Sequence, residues 1–130
     1  MKAPLIYIAG PFRAGAAWAV ECNVREAEKL GLIVATYGGV PMIPHTMYRF
    51  FNGMLTEQFW LNATRQVLNV CQAVAVTAEW AFSGGTIDEI LRAELTLEIP
   101  LFFAGKTLPA NREPIKALPA WINQWKEMHK

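Results

Sequence analysis

The stretch AVAVTAEWAFSGGTIDEILRAELTLE, Ala73 to Glu98, carries the reading of the fold. Its first six residues, Ala73 to Ala78, form an unbroken run of small and β-branched side chains, the mark of a strand buried on both faces. A turn with adjacent glycines, Gly84 and Gly85, follows, and from Gly85 to Glu98 the apolar residues recur at helical spacing. A buried strand that feeds a helix through a glycine turn is half of a βαβ unit, and such units build parallel sheets through right-handed crossovers.

The same alternation extends in both directions. Residues 4–9, PLIYIA, predict a strand ended by the breakers Gly10 and Pro11, and Trp18 to Gly31 predict a helix that stops at its glycine. Residues 40–45, VPMIPH, predict a second strand, short or at an edge because it holds two prolines. An aromatic loop from Met47 to Gly53, with the turn pair Asn52-Gly53, leads to a helix over Thr56 to Cys71 with Thr56 as its N-cap. Beyond the opening stretch, IPLFFA at 99–104 is a fourth strand. Pro109, Pro114 and Pro119 then break the chain, and Pro119 to Lys130 closes it as an amphipathic helix with Trp121 and Trp125 on one side. The expectation is one α/β domain over residues 1–130, a central parallel sheet of four to five strands covered on both faces. In such sheets ligands bind beyond the carboxyl ends of the strands, where the winding order reverses. That rule selects three loops: Gly10–Gly15, His45 onward, and Glu79–Gly85.

Composition narrows the partners. The chain has 130 residues, 53% hydrophobic and 18% charged, enough for a substantial core and far from the signature of disorder. Twelve Lys and Arg against 11 Asp and Glu leave a net charge of +1, no field suited to a nucleic-acid polymer. A small molecule is the expected partner. The apolar run of MKAPLIYIAGPF is too short for a signal segment, and no stretch approaches the roughly 20 apolar residues of a membrane span. Cys22 and Cys71 stand apart with no CxxC motif or histidine cluster, so neither a zinc site nor a disulfide framework is indicated, and no metal or cofactor is expected. These features predict a soluble, cytoplasmic protein.

Several residues at the three loops could carry chemistry. Ser83, Gly84 and Gly85 let a ligand approach backbone amides at a helix start, where an anionic or polar group is favoured. Glu89, about one turn further on, would bring its carboxylate to the same crevice, with the helix dipole favouring the ionised form that suits a nucleophile. The plainer reading is a capping box, Thr86-x-x-Glu89, in which Glu89 caps the helix start. Asp88 points about 100° away round the helix. In the first loop Gly10, Pro11 and Phe12 precede Arg13, a clamp for phosphate or carboxylate, or else a solvated cation. Tyr7 either directs its hydroxyl into the crevice or fills the core, and His45, with only His129 for company, is a pocket-wall candidate. Trp80 and Phe82 flank the glycine turn, placed to stack on a planar base or to cover the sheet edge.

Taken together, YIAGPFRAG after the first strand and S-x-G-T-x-x-E (Ser83, Gly85, Thr86, Glu89) after the third resemble the nucleoside 2-deoxyribosyltransferase superfamily over residues 4–104. Within it the chain looks most like small phage and bacterial domains of unassigned function, which pair PHT, FWL, CDAV and W-x-x-S-x-G segments. Here these stand as Pro44-His45-Thr46, Phe59-Trp60-Leu61, Cys71-Gln72-Ala73-Val74 and Trp80 to Gly85. The resemblance implies a flavodoxin-like three-layer fold and attack on the anomeric carbon of a 2-deoxynucleoside. Glu89 matches the nucleophile that forms a glycosyl-enzyme intermediate, and Tyr7 a tyrosine that steadies it or the sugar. Arg13 matches the position that binds the 5-phosphate in the deoxynucleoside 5-monophosphate N-glycosidase branch, and Ser83 and Gly85 match the loop facing phosphate or sugar. The superfamily's base-orienting aspartate in the second helix, eight residues before the Asp of CDAV, is Thr64 here, and that Asp itself is Gln72. The resemblance also implies a homodimer or larger assembly.

Two functions follow as expectations. One is cleavage or transfer of the N-glycosidic bond of a 2-deoxynucleoside or its 5-monophosphate through Glu89. The alternative is a non-catalytic nucleotide-binding or nucleotide-sensing module of the same fold, which the missing acids motivate. A third, weaker reading is an assembly protein whose aromatic loop and C-terminal helix form interfaces.

Overall fold

The computed structural model describes residues 2–51, 53–105 and 112–130. Its strands β1 (Leu5–Ala9), β2 (Val40–Met42), β3 (Ala73–Val76), β4 (Leu101–Phe103) and β5 (Glu113–Pro114) form one sheet. The spatial order is β2-β1-β3-β4-β5 and every pairing is parallel. This is the flavodoxin-like order, whose winding reverses between β1 and β3.

Period-two alternation in the strands divides the core. Ile6 and Ile8 of β1, with Ala73, Ala75 and Phe102, face helices α1 (Ala17–Thr36) and α5 (Leu118–Met128). Tyr7 and Ala9, with Val74, Val76, Leu101 and Phe103, face α3 (Glu57–Asn69) and α4 (Gly84–Leu91). Two helical layers on a sheet buried on both sides give the expected three-layer α/β sandwich. Trp121 of α5 closes the first layer against Phe102, with ring centroids 5.9 Å apart.

The boundaries move in four places. Helix α1 does not stop at Gly31 but runs on to Thr36 before the chain turns through Gly38, at φ 97°. Gly31 serves close packing instead: a Cβ there would meet Ile43 Cδ1 at 2.5 Å. The second strand ends at Met42, since Pro44 starts the short helix α2 (Pro44–Tyr48) at a position that suits proline, and His45 lies in that helix. Thr56 caps α3 as expected, accepting from Phe59 N at 3.1 Å. Past Leu91, α4 widens into π-helical turns over Arg92–Leu97, ended by Glu98 in the left-handed region at φ 53°. Pro114, expected as a breaker, lies in β5, the edge strand opposite β2. Asn52 and Pro109 lie outside the described residues. Among the described residues no helix is long and apolar enough to cross a membrane.

Candidate functional site

A cleft of about 540 Å³ opens where β1 and β3 end, at the point of winding reversal. Tyr7, the loop Gly10 to Arg13, His45 of α2, Thr64 of α3, and Ser83 to Thr86, Asp88 and Glu89 at the start of α4 all line it. The three loops chosen by the strand-end rule therefore meet in one place.

Glu89 and Tyr7 form its centre. Tyr7 is 1% exposed, and its hydroxyl donates to Glu89 Oε2. Both expectations for Tyr7 hold, because the ring sits in the core while the hydroxyl reaches the cleft. The capping box does not form. Ser83 is the N-cap of α4, its Oγ accepting from Thr86 N at 3.2 Å, and Thr86 is buried in the first turn. Ser83 Oγ also accepts from the Thr86 hydroxyl at 2.8 Å, so Glu89 has no capping duty.

Electrostatics at Glu89 also differ from the expectation of a dipole-favoured carboxylate. The helix begins three residues earlier than the capping box assumes, with Ser83 rather than Thr86 as N-cap, so Glu89 lies beyond the first turn, where the dipole's influence has fallen off. Burial raises its pKa to about 7, the Tyr7 hydrogen bond lowers it in part, and the nearby Asp88 charge raises it. Tyr7 is pushed well above the ordinary tyrosine range by burial first, then by the charge and hydrogen bond of Glu89. The pair is a carboxyl poised near neutrality beside a phenol that stays protonated.

Thr64 stands against this pair: its hydroxyl donates to Leu61 O at 3.1 Å, and its side chain opposes the rise in the phenol's pKa. Gln72 is elsewhere. Its Oε1 accepts from Leu5 N at 2.7 Å and its Nε2 donates to Val70 O at 3.0 Å, at the amino end of the sheet away from the cleft. Of the two acids the resemblance expected, position 64 alone belongs to the site.

The loop after β1 is held from below and from the side. A Cβ on Gly10 would meet Thr77 Oγ1 at 2.4 Å, so packing alone requires a glycine at this point of the cleft wall. His45 Nε2 lies 2.9 Å from Gly10 O and 3.0 Å from Pro11 O. Both partners are carbonyls, so Nε2 carries the proton and donates. Burial lowers the His45 pKa against the help of these carbonyls, which leaves the ring neutral at pH 7 with its Nδ1 lone pair buried and unpartnered. His45 is thus a clamp on the loop as well as a wall of the cleft. Asn23 Nδ2 donates to Phe12 O at 3.1 Å, and the Phe12 ring lies against His45. Arg13 faces the cleft but already has a partner, Glu57 of α3, at 3.0 Å and largely exposed.

At the start of α4 the glycines behave differently. A Cβ on Gly84 would meet nothing within 4 Å, and one on Gly85 only Ser83 Oγ at 4.0 Å. Neither is demanded by the chain's own packing. Phe82, 86% exposed, lies on the cleft rim, whereas Trp80 packs edge-on against Phe103, centroids 5.5 Å apart, and covers the sheet. Trp80 is therefore not a cleft residue.

Arg65, Leu68 and Arg92, which nothing in the sequence singled out, line the cleft, as do Trp60 and Leu61 of the FWL segment and Asp88, expected to point away from Glu89. A signal existed on α3, where Leu61, Thr64 and Leu68 recur at helical spacing and put one polar position on an apolar stripe. Among the described residues no group of three or more His, Cys, Asp or Glu is arranged to hold a metal ion.

Fold and site define a flavodoxin-like α/β protein with a part-buried carboxyl–phenol pair at its topological switch point. The chain belongs to the family described as a domain of unknown function, DUF7768, whose model matches residues 4–103, a span that holds every cleft residue from Tyr7 to Arg92. Comparison with curated proteins gives no match.

Proposed function

We propose that this protein cleaves or transfers the N-glycosidic bond of a 2-deoxynucleoside or its 5-monophosphate, with Glu89 as the nucleophile and a cytoplasmic site of action. The observation that carries the reading is the part-buried Tyr7–Glu89 pair on the floor of a cleft whose lining includes glycine backbone and three arginines. With a pKa of about 7, Glu89 is present as carboxylate in about half the molecules near neutrality. The carboxylate attacks the anomeric carbon, the C–N bond breaks, and its electron pair leaves with the base. Water or a second base then displaces Glu89 from the glycosyl ester, so configuration is retained overall. Tyr7 holds the attacking oxygen in place throughout. Arg13 suits a 5-phosphate because an exposed ion pair such as Arg13–Glu57 is worth little and yields to a doubly charged ligand. The open faces of Gly84 and Gly85 suit close approach of sugar or phosphate to the α4 amides.

The test is incubation with a mixture of deoxynucleosides, deoxynucleotides and free bases, read by mass spectrometry for released or exchanged base. Wild type should turn over at least one substrate, and Glu89→Gln should lose essentially all of it. Full turnover by Glu89→Gln would refute the mechanism. Thr64, where the resemblance expects an acid, favours the second reading, a nucleotide-binding module without chemistry. Tight calorimetric binding of a nucleotide with no product after long incubation would select it.

A further inference from the structure

Resting on the glycosidase reading above, we propose that Arg65 and Arg92 receive the departing base in place of an acid at position 64, and that they select bases whose edge offers only acceptors. Three arginines line the cleft. Arg13 is paired with Glu57, but among the described residues neither Arg65 nor Arg92 forms an ion pair. Asp88 and Arg92 have the spacing of a helical ion pair, yet the Arg92 Nε instead donates across the cleft edge to Asn69 Oδ1 of α3, at 2.8 Å. That bond anchors the guanidinium and leaves its terminal NH₂ groups for a ligand. Arg65 lies on α3 four residues before Asn69, so the two cations flank one side chain. Both line the same cleft as the reacting pair. Arg65 follows Thr64, which touches Tyr7, and Arg92 lies three residues past Glu89, its neighbour on the helix surface.

Glu57, Asp88 and Glu89 share the cleft, but among the described residues neither guanidinium contacts a carboxylate, so their free donors call for an electron-rich partner. In the first step the glycosidic electron pair passes to the base nitrogen, and the base departs as an anion whose charge spreads over its ring nitrogens and carbonyl oxygens. Arginine cannot give up its proton, but its donors stabilise that anion, and the base takes a proton from water after it leaves. Arginine carries no acceptor, so it pairs with O6/N7 of a 6-oxopurine or with O4 of a dioxopyrimidine on the edge away from its N3–H. It is mismatched with the amino groups of adenine and cytosine. The substrate class is therefore the oxo-base deoxynucleosides and their 5-monophosphates.

Arg65→Gln and Arg92→Gln separate this from the underlying reading when assayed on an oxo-purine deoxynucleoside and on 4-nitrophenyl 2-deoxyriboside, whose nitrophenolate leaves without help. Each variant should lose about 100-fold in kcat/KM on the oxo base, as for removal of one donor to a developing anion, and keep within a few-fold of wild type on the nitrophenyl substrate. The nitrophenyl rate also reports that the variant is folded. Undiminished release of the oxo base by both variants, with Glu89-dependent activity intact, would overturn the role of the arginines and leave the glycosidase reading standing. Absence of Glu89-dependent release from every substrate would remove both.

Discussion

The state of the Glu89 carboxyl is set by burial and not by its helix. Its folded pKa of about 7 lies above the 4.5 of an unperturbed glutamate, so between these pH values the unfolded chain has given up a proton that the folded chain keeps. Stability from this group is fully present below pH 4.5 and is lost as pH rises through about 7. At about 1.4 kcal/mol per pH unit, ionising Glu89 costs on the order of 3 kcal/mol by pH 8. Glu89→Gln keeps the oxygen that accepts from Tyr7 and cannot ionise. In urea titrations it should exceed wild type in stability at pH 8, with the gap closing towards pH 4.5; equal stability at both pH values would contradict the burial argument. Tyr7→Phe removes the hydrogen bond that lowers the Glu89 pKa, so the acid limb of the pH–rate profile should move above 7. Nothing in the spacing of Thr86 and Glu89 distinguishes a capping box from this arrangement, because both put a glutamate early in a helix. The difference is made by Ser83, which takes the cap, and by Tyr7, which is 82 residues away in sequence and adjacent in space.

At the scale of elements, the order of strands and helices was legible because buried parallel strands and amphipathic helices have distinct periods. Ala73–Val76 and Leu101–Phe103 fall inside the stretches that predict them. The errors cluster at glycine and proline, whose local meaning depends on what packs there. Gly31 reads as a stop but is a contact point between α1 and the chain leading to α2, and Pro44 reads as strand but opens a helix. Gly31→Ala should therefore destabilise the fold by about 1–3 kcal/mol through overpacking, despite alanine's better helix propensity. Ile43→Val, which removes the Cδ1 nearest the added methyl, should recover part of that loss in the double variant. A Gly31→Ala chain as stable as wild type in denaturant titration would show that the contact relaxes freely. At α4 the opposite holds: with open space at Gly85, alanine there should leave stability unchanged or raise it by up to about 1 kcal/mol while weakening nucleotide binding, as calorimetry would read.

For the whole molecule, the rule that ligands sit where the winding reverses located the cleft before any side chain was placed, and the order β2-β1-β3-β4-β5 puts that reversal between β1 and β3. The rule could not supply the α3 wall. Thr64, Arg65 and Leu68 enter the cleft from a helix that precedes β3, and only the packing of α3 over the Tyr7 face brings them there. The surface beside the cleft is unusually apolar, with Phe50 83%, Phe82 86% and Leu55 69% exposed. We propose that this face is covered in a homodimer or larger assembly; light scattering should give at least twice the 14.5 kDa chain mass, and a strict monomer at micromolar concentration would contradict it. The bond between Glu89 and the sugar can be trapped directly. A 2-deoxynucleoside analogue with fluorine at C2 and a good leaving group slows the attack of water on a glycosyl ester more than it slows the ester's formation. After incubation and trypsin digestion, peptide mass spectrometry should find the fluorinated sugar on the peptide Gln66 to Arg92, localised to Glu89, with none on the Glu89→Gln protein. Release of the leaving group with no sugar on Glu89, at a rate unchanged in Glu89→Gln, would contradict the account.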